Sequence, residues 1–447
     1  MRILTAIVLL LAPQAGDDWK AGLAEVKITP EEPIHLAGYA SRTKPFEKVA
    51  ADLYAKALAL EDAAGNRAVL VTSDLIGFRA AVAEPICERL REKVGLKREQ
   101  ILLSVSHTHT GPSLSLDAQA RPPYSEEDAR KTVEYTRRLQ DKVVALVEQA
   151  LGKLEPARLA WSTGVAHFVM NRREFTPNGV ILGVNPRGPV DRSVPVLRVA
   201  TPEGKLRAVV FGYACHNTTL GGNIYEVSGD YAGFAQAHVQ EKLPGVQAMF
   251  VTGCAGDSNP HPRGTMDLAR DHGATLGKEV LRVLGAKLQP VRGPIRVALE
   301  RAPLPLEDVP AADELEKLAP KSPSYRKGVI DQQLAAYRRG DKPATHYVAP
   351  IALWQFGDDL TLLGLSGEVV VDYVQVVEQA IGPLRLWVAA YCNDVFGYLP
   401  SARVSREGGY ETRGVYYGSA GFFAPTAQEV VGRTVRSLAE KTGRKLP

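Results

Sequence analysis

Two histidines one residue apart, His107 and His109, close an apolar run from Ile101 to Val105, and Gly111 and Pro112 follow them. Side chains two apart on an extended chain share a face, so both imidazoles can enter one pocket at a strand's end. Imidazole ligates metals and titrates near neutrality. The pair can therefore hold a metal or move a proton. Taken alone, the same pattern fits two hydrogen-bonded structural histidines equally well.

The arrangement recurs along the chain. Apolar runs stop at Asp74, at His107 and His109, at His216, at Asp257, at Glu368 and at Tyr398. Ligands of open α/β sheets sit beyond the carboxyl ends of the strands, so six such endings suggest one pocket assembled from distant segments. A catalytic zinc takes about three protein ligands from separate segments and keeps a position for water. Each residue also has a plainer reading. His216 could be a core histidine, Glu368 an acid at a helix N-terminus and Tyr398 a core aromatic.

The elements that must position these residues alternate between strand and helix, the signature of an α/β fold. Strands are expected over 53–60, 68–71 and 101–105, with a helix over 80–94 that Gly95 caps. Ser125, followed by three acids, predicts a helix start and a helix to about Leu151. Residues 157–168 read as a strand, and 194–200 with 206–213 as a hairpin across Pro202–Lys205. A helix is expected after Gly229 to Tyr231, a strand over 248–252, a helix over 265–284, strands over 360–368 and 384–390, and a last helix over 427–440. The fold class is therefore α/β, with mixed β-sheets flanked by helices and the active site at strand ends. Residues 16–447 read as a single domain. Residues 293–345, rich in Pro and then in alternating charge, read as an inserted lobe.

Composition narrows the function. The 447 residues are 45% hydrophobic and 23% charged, and the 54 basic and 50 acidic residues leave a net charge of +4. That balance argues against a nucleic-acid partner. Met1-Arg2, the apolar run from Ile3 to Ala12 and the small residues to Gly16 resemble a signal peptide over 1–15. The run is too short to span a bilayer, so the expected location is secreted or periplasmic, with no transmembrane segment. Cys87, Cys215, Cys254 and Cys392 form no Cys-x-x-Cys pair, which argues against a zinc knuckle. They read as small buried hydrophobes.

Taken in order, the motifs resemble the neutral/alkaline (non-lysosomal) ceramidase family, secreted or surface zinc amidohydrolases. The matching segments are Gly38-Tyr39, Leu53 to Leu58, Thr72 to Asp74, Ser106 to Pro112, Asn171-Arg172 with Asn185-Pro186 and Asp191, His216, Gly229 to Ala235, Gly256-Asp257, Gly367-Glu368 and Asn393 to Tyr398. Position by position, the resemblance implies Zn2+ held by His107, His216, Glu368 and Tyr398. It implies an acid–base role for His109, an oxyanion contact for Arg172, and Asp257 and Asn259 among the catalytic residues. The implied substrate is a small or lipid-like N-acyl compound cleaved at its amide bond.

Two departures qualify that expectation. Where the family has Gly-Asp-x-Ser-Pro, this chain has Gly256-Asp257-Ser258-Asn259-Pro260. Asn259 stands at the serine position, and an amide cannot be a serine nucleophile. The family also carries an immunoglobulin-like C-terminal domain, whereas this sequence ends at Pro447. The expectation is thus an N-acyl hydrolase using activated water, rather than a ceramidase in particular. The alternatives are a zinc-binding protein without turnover and a hydrolase of an ester or sugar-linked substrate on the same scaffold.

Overall fold

The computed structural model describes residues 19–119, 124–322, 324–413 and 421–446. The segment 1–15, read above as a signal peptide, lies outside them. Among the described residues no helix is long and apolar enough to cross a membrane.

A nine-stranded sheet runs Gln247–Thr252, Leu206–Tyr213, Ser193–Ala200, Glu155–Val165, Trp19–Lys27, Tyr54–Asp62, Arg67–Ser73 and Ile101–Val105, with Gln289–Val291 also pairing with Glu155–Val165. Its middle is antiparallel. Each end is a parallel pair, Leu206–Tyr213 with Gln247–Thr252 and Arg67–Ser73 with Ile101–Val105. The end strands are buried along most of their length, as parallel strands covered on both faces require. The sheet curls until its outermost strands meet, where Thr252 Oγ1 donates to the Val105 carbonyl at 2.7 Å.

A four-stranded sheet, Ile295–Pro305, His346–Phe356, Leu360–Gly364 and Leu386–Ala389, packs against the first. Leu70, Leu102, Met249 and Val251 meet Trp354, Leu362 and Trp387 between them. Helices Ala80–Val94, Glu126–Leu151, Asp372–Ile381 and Ala427–Lys441 bury their apolar faces in one outer cluster, and Asp230–Lys242 and Met266–Leu284 in another. The expected mixed sheets flanked by helices are what the chain forms. The helix signals acted locally as read. Ser125 accepts from Asp128 N–H, and Gly95 adopts φ 72° to return its N–H to Arg91 O.

Two regions differ in detail from the sequence reading. Residues 157–168 do not form one strand. Glu155–Val165 ends early, and Val169–Thr176 turns back as a ribbon with Gly179–Asn185. Within 293–345, Ile295–Pro305 pairs along its whole length with His346–Phe356. Only the helices Ala312–Leu318 and Ser324–Arg338 stand apart, on a small cluster of Leu315, Ile330 and Leu334.

The topology brings three parallel pairs together at their carboxyl ends, the third being Leu360–Gly364 with Leu386–Ala389. Ala390 N–H donates to Thr252 O at 2.9 Å, Asn393 N–H to Leu103 O at 2.7 Å and His109 N–H to Asn217 O at 3.2 Å. The loops leaving all three pairs are thereby laced into one crevice.

Candidate metal centre and active site

His107 leaves the Ile101–Val105 strand at φ 61°, a left-handed conformation that is costly for a residue with a Cβ. Its Nδ1–H is committed to Ile76 O at 2.5 Å. His216, beyond the Leu206–Tyr213 strand, gives Nδ1–H to Ala255 O at 2.7 Å. With both Nδ1 atoms serving as donors, each Nε2 carries a lone pair, and both lone pairs face Glu368. Oε2 of Glu368 lies 3.2 Å from His107 Nε2 and 3.1 Å from His216 Nε2. The Tyr398 hydroxyl is 3.4 Å from His216 Nε2, and His109 Nε2 is 3.2 Å from His107 Nε2. His107, His109 and His216 each offer a ligand atom within 4.8 Å of the others.

This donor set fits a metal. Converging lone pairs and a carboxylate repel one another unless a cation sits among them. Spacings of 3.1–3.4 Å match the edge of about 3.3 Å that a tetrahedron with bonds near 2.0 Å would have. Nδ1–H bonds to backbone carbonyls are the supports that ligating histidines use. His109 lacks that support, since its buried Nδ1 has no hydrogen-bond partner.

Burial and Arg172 push the His216 imidazole down to about 3. Burial, with His107 and His216 adding to it, holds His109 well below the usual imidazole range. Burial alone would raise Glu368, but the His107 and His216 imidazoles around its carboxylate outweigh it and hold the carboxyl well below the usual range. His109 and His216 are therefore neutral and the Glu368 carboxylate anionic, the states that ligate.

The walls are built from buried polar contacts. Gly38 (φ 91°) lies against His109 so closely that a Cβ there would stand 2.3 Å from Nδ1. Buried Arg42 donates Nη1 to Ala37 O at 2.7 Å and His109 O at 2.5 Å, and the Tyr39 ring meets the His109 ring at 4.9 Å. Arg172, on the Val169–Thr176 strand, donates Nε to Glu411 (2.9 Å), Nη2 to Gly256 O (2.6 Å) and Nη1 to Asn259 Oδ1 (3.3 Å). Its guanidinium lies 5.3 Å from the centre of the Tyr398 ring.

Ser258 and Asn259 sit on a short strand paired with Val169–Asn171, so their side chains point opposite ways. Ser258 is fully buried, its hydroxyl without a partner. Asn259 is partly exposed, and its Oδ1 also accepts from Thr218 at 3.0 Å. Asp257 faces inward. Its carboxylate accepts from Val371 N–H at 2.8 Å and Asn171 Nδ2 at 3.2 Å, and its backbone carbonyl accepts from Arg172 N–H at 2.9 Å. Asp74 is likewise engaged away from the histidines, accepting from Tyr54 N–H and Gln236 Nε2 at 3.1 Å each.

The family model for neutral/alkaline non-lysosomal ceramidases, N-terminal, matches residues 19–271, more than half of the sequence. The chain belongs to that family. Neutral ceramidase from Pseudomonas aeruginosa is 26% identical over 276 residues, covering 58% of this chain and 40% of that protein. Neutral ceramidase A of Dictyostelium discoideum is 26% identical over 233 residues, 47% of this chain and 31% of that protein. The matched stretch thus spans less than half the length of these curated relatives. The crystal structure of the P. aeruginosa neutral ceramidase superposes with a TM-score of 0.71 at 20% identity, covering 96% of this chain and 75% of that one. At that identity the likeness is one of fold.

Two residues of this family member's site carried no sequence signal of their own. Tyr391 (φ 56°) packs its ring 4.4 Å from the His107 ring, with its hydroxyl 3.5 Å from His216 Nδ1. Strand patterning alone makes it a core aromatic. Glu411, in the short turn Tyr410–Thr412, pairs with both Arg172 and Arg173. Nothing in its local sequence marks it.

Proposed function

We propose that this chain is a zinc-dependent hydrolase that cleaves an N-acyl amide bond. One observation carries the reading: the lone pairs of two backbone-locked imidazoles, His107 and His216, converge on the Glu368 carboxylate at 3.1–3.2 Å. His107, His216, Glu368 and Tyr398 would hold the metal. Zinc bound there supplies Lewis-acid polarisation and a water acidified to a pKa of about 7.

The chain's own residues do the rest. His109 is neutral and touches the ligand cluster, yet its Nδ1 is not locked to a carbonyl. It is suited to take a proton from water at Nε2 and return it to the leaving amine. Arg172, held on three sides, directs positive charge at the developing oxyanion. Asn259 has its Oδ1 committed to Arg172 and Thr218, which leaves its amide N–H groups as donors to the same oxygen. Asp257 acts through the segments it ties down, Asn171-Arg172 and the turn at Val371. With Asn259 where the resemblance implies a serine, no covalent acyl-enzyme is required, and water attacks directly. The substrate class is N-acyl amides, including lipid-like ones, and an esterase reading ranks second because the same groups serve an ester carbonyl.

The test is metal analysis of the purified protein, then a screen of N-acyl amides and esters before and after chelation. The expected result is zinc near one equivalent and amide turnover that chelation abolishes and zinc restores. Zinc without turnover on any amide or ester would mark a binding protein instead. Chelator-insensitive turnover would sink the metal assignment.

A further inference from the structure

The ribbon Val169–Thr176 and Gly179–Asn185 breaks the usual rule of apolar residues inside. Phe175 is 59% exposed, Ile181 49%, Leu182 50% and Val184 44%, so a single hairpin holds four of the ten exposed large hydrophobics among the described residues. Isolated exposed apolar residues need no explanation, but a contiguous set marks a docking surface. Register pairs Phe175 with Val180 and Arg173 with Leu182, while Ile181 pairs with Glu174. Phe175 and Leu182 therefore share one face, and Ile181 projects from the other.

We propose that this ribbon inserts into the surface of an anionic phospholipid bilayer. Exposed apolar side chains on both faces of a two-stranded ribbon suit a medium that surrounds it, since a flat protein partner would cover one face only. Charge points the same way. Arg187 and Arg192, immediately after the ribbon, are exposed. The neighbouring acids are turned onto local backbone, Glu174 accepting from Val184 N–H at 3.2 Å and Asp191 from Ser193 N–H at 2.8 Å. An apolar tip with flanking arginines is the combination that anionic interfaces bind.

The ribbon is also continuous with the candidate site. Arg172 lies on the same strand three residues before Phe175, a distance of about 10 Å along an extended chain. A bilayer engaged at Phe175 would lie beside the crevice that holds Arg172 and Asn259. The inference rests on the proposed function for its purpose, the supply of lipid-like N-acyl substrate, but the binding event is tested separately.

The full chain is sedimented with vesicles of phosphatidylcholine alone and of equimolar phosphatidylcholine and phosphatidylserine. Binding is expected to the mixed vesicles, weaker to phosphatidylcholine alone. The F175S/L182S double variant should bind at least about tenfold more weakly, as loss of two inserted apolar side chains requires. Replacing Arg187 and Arg192 by Gln should cost about fivefold per charge. Both variants alter exposed side chains, so their thermal midpoints and their rates on a soluble short-chain N-acyl amide should match the parent. The proposal is overturned if the parent binds neither vesicle, or if the F175S/L182S variant binds as the parent does. It is also overturned if ultracentrifugation shows a dimer that this variant dissociates while no vesicle binding occurs. Vesicle binding without turnover of any N-acyl substrate would leave this inference standing and remove the enzymatic one.

Discussion

Glu411 and Arg172 form a buried ion pair, Oε1 to Nε 2.9 Å, and the second oxygen of the same carboxylate takes Arg173 Nη1 at 2.6 Å. The two arginines are successive residues of one strand, and a single acid from the far end of the chain holds both. Burial alone would raise the Glu411 carboxyl, but Arg172 and Arg173 outweigh it and lower it. The pair therefore sets the direction in which Arg172 meets Asn259 and the Tyr398 ring.

Removing one partner of such a pair strands the other charge in the core. Glu411→Ala should lose about 3–5 kcal/mol of stability, read as a lower urea midpoint, and should lower kcat more than it raises KM. Glu411→Gln keeps the shape and should recover part of both. Because the folded pKa is depressed, the pair's contribution is present above the ordinary carboxylate pKa and is lost as pH falls through the lower folded value. The parent should therefore lose stability on acidification more steeply than Glu411→Gln. Equal acid slopes would show that the ion pair contributes nothing.

Much of this architecture was legible in the sequence, and the part that was not has physical reasons. Ser125 and Gly95 announce their helix ends because a cap is a local device, settled within four residues. The apolar runs before His107, His216 and Glu368 announce strands because parallel strands are covered on both faces. The Val169–Asn185 ribbon was hidden because its apolar residues face outward, so it lacks the alternation that a half-buried strand shows. Glu411 was hidden because its partner Arg172 lies 239 residues earlier, and no periodicity spans that gap. Asp74 and Asp257 fit the strand-end pattern, yet they turn their carboxylates to backbone and amide donors. The pattern finds the layer in which a site lies, while the direction of each side chain depends on tertiary neighbours.

The roles of His107 and His109 separate on metal content. His107→Ala removes a lone pair that Ile76 O had oriented, and Glu368→Gln removes the anion among the donors. Both should come off the column with zinc far below one equivalent. His109→Ala should keep its zinc and lose about 10²–10⁴ in kcat, the range for a general acid–base group. Elemental analysis of the three proteins decides it. A His109→Ala protein without zinc would move His109 into the ligand set.

Asn259 offers the sharpest test of the oxyanion. Its Oδ1 accepts from both Arg172 and Thr218, so truncation removes an N–H donor and also a restraint on Arg172. Asn259→Ala should lower kcat by about 10²–10³, the usual loss for one oxyanion donor, with zinc content unchanged. An unaltered kcat would mean that Arg172 serves the oxyanion alone.

Asp257 gives the fold a pH dependence of its own. Burial pushes its carboxyl up to about 6, because the charged form has lost its water and the Val371 N–H donor and the Arg172 charge offset only part of that loss. A raised folded pKa means that the native state binds the proton more tightly than the unfolded chain does. The associated stability is complete below the unfolded value of about 3.9 and is lost as pH rises through about 6. Two pKa units correspond to roughly 3 kcal/mol at about 1.36 kcal/mol per unit. Asp257→Asn cannot titrate, so its stability should change less than the parent's between pH of about 4 and about 6, with the two curves diverging in that window. Urea midpoints collected across it provide the measurement. Parallel curves would place the titration elsewhere, and Asp257 would then be a carboxylate fully compensated by its two donors.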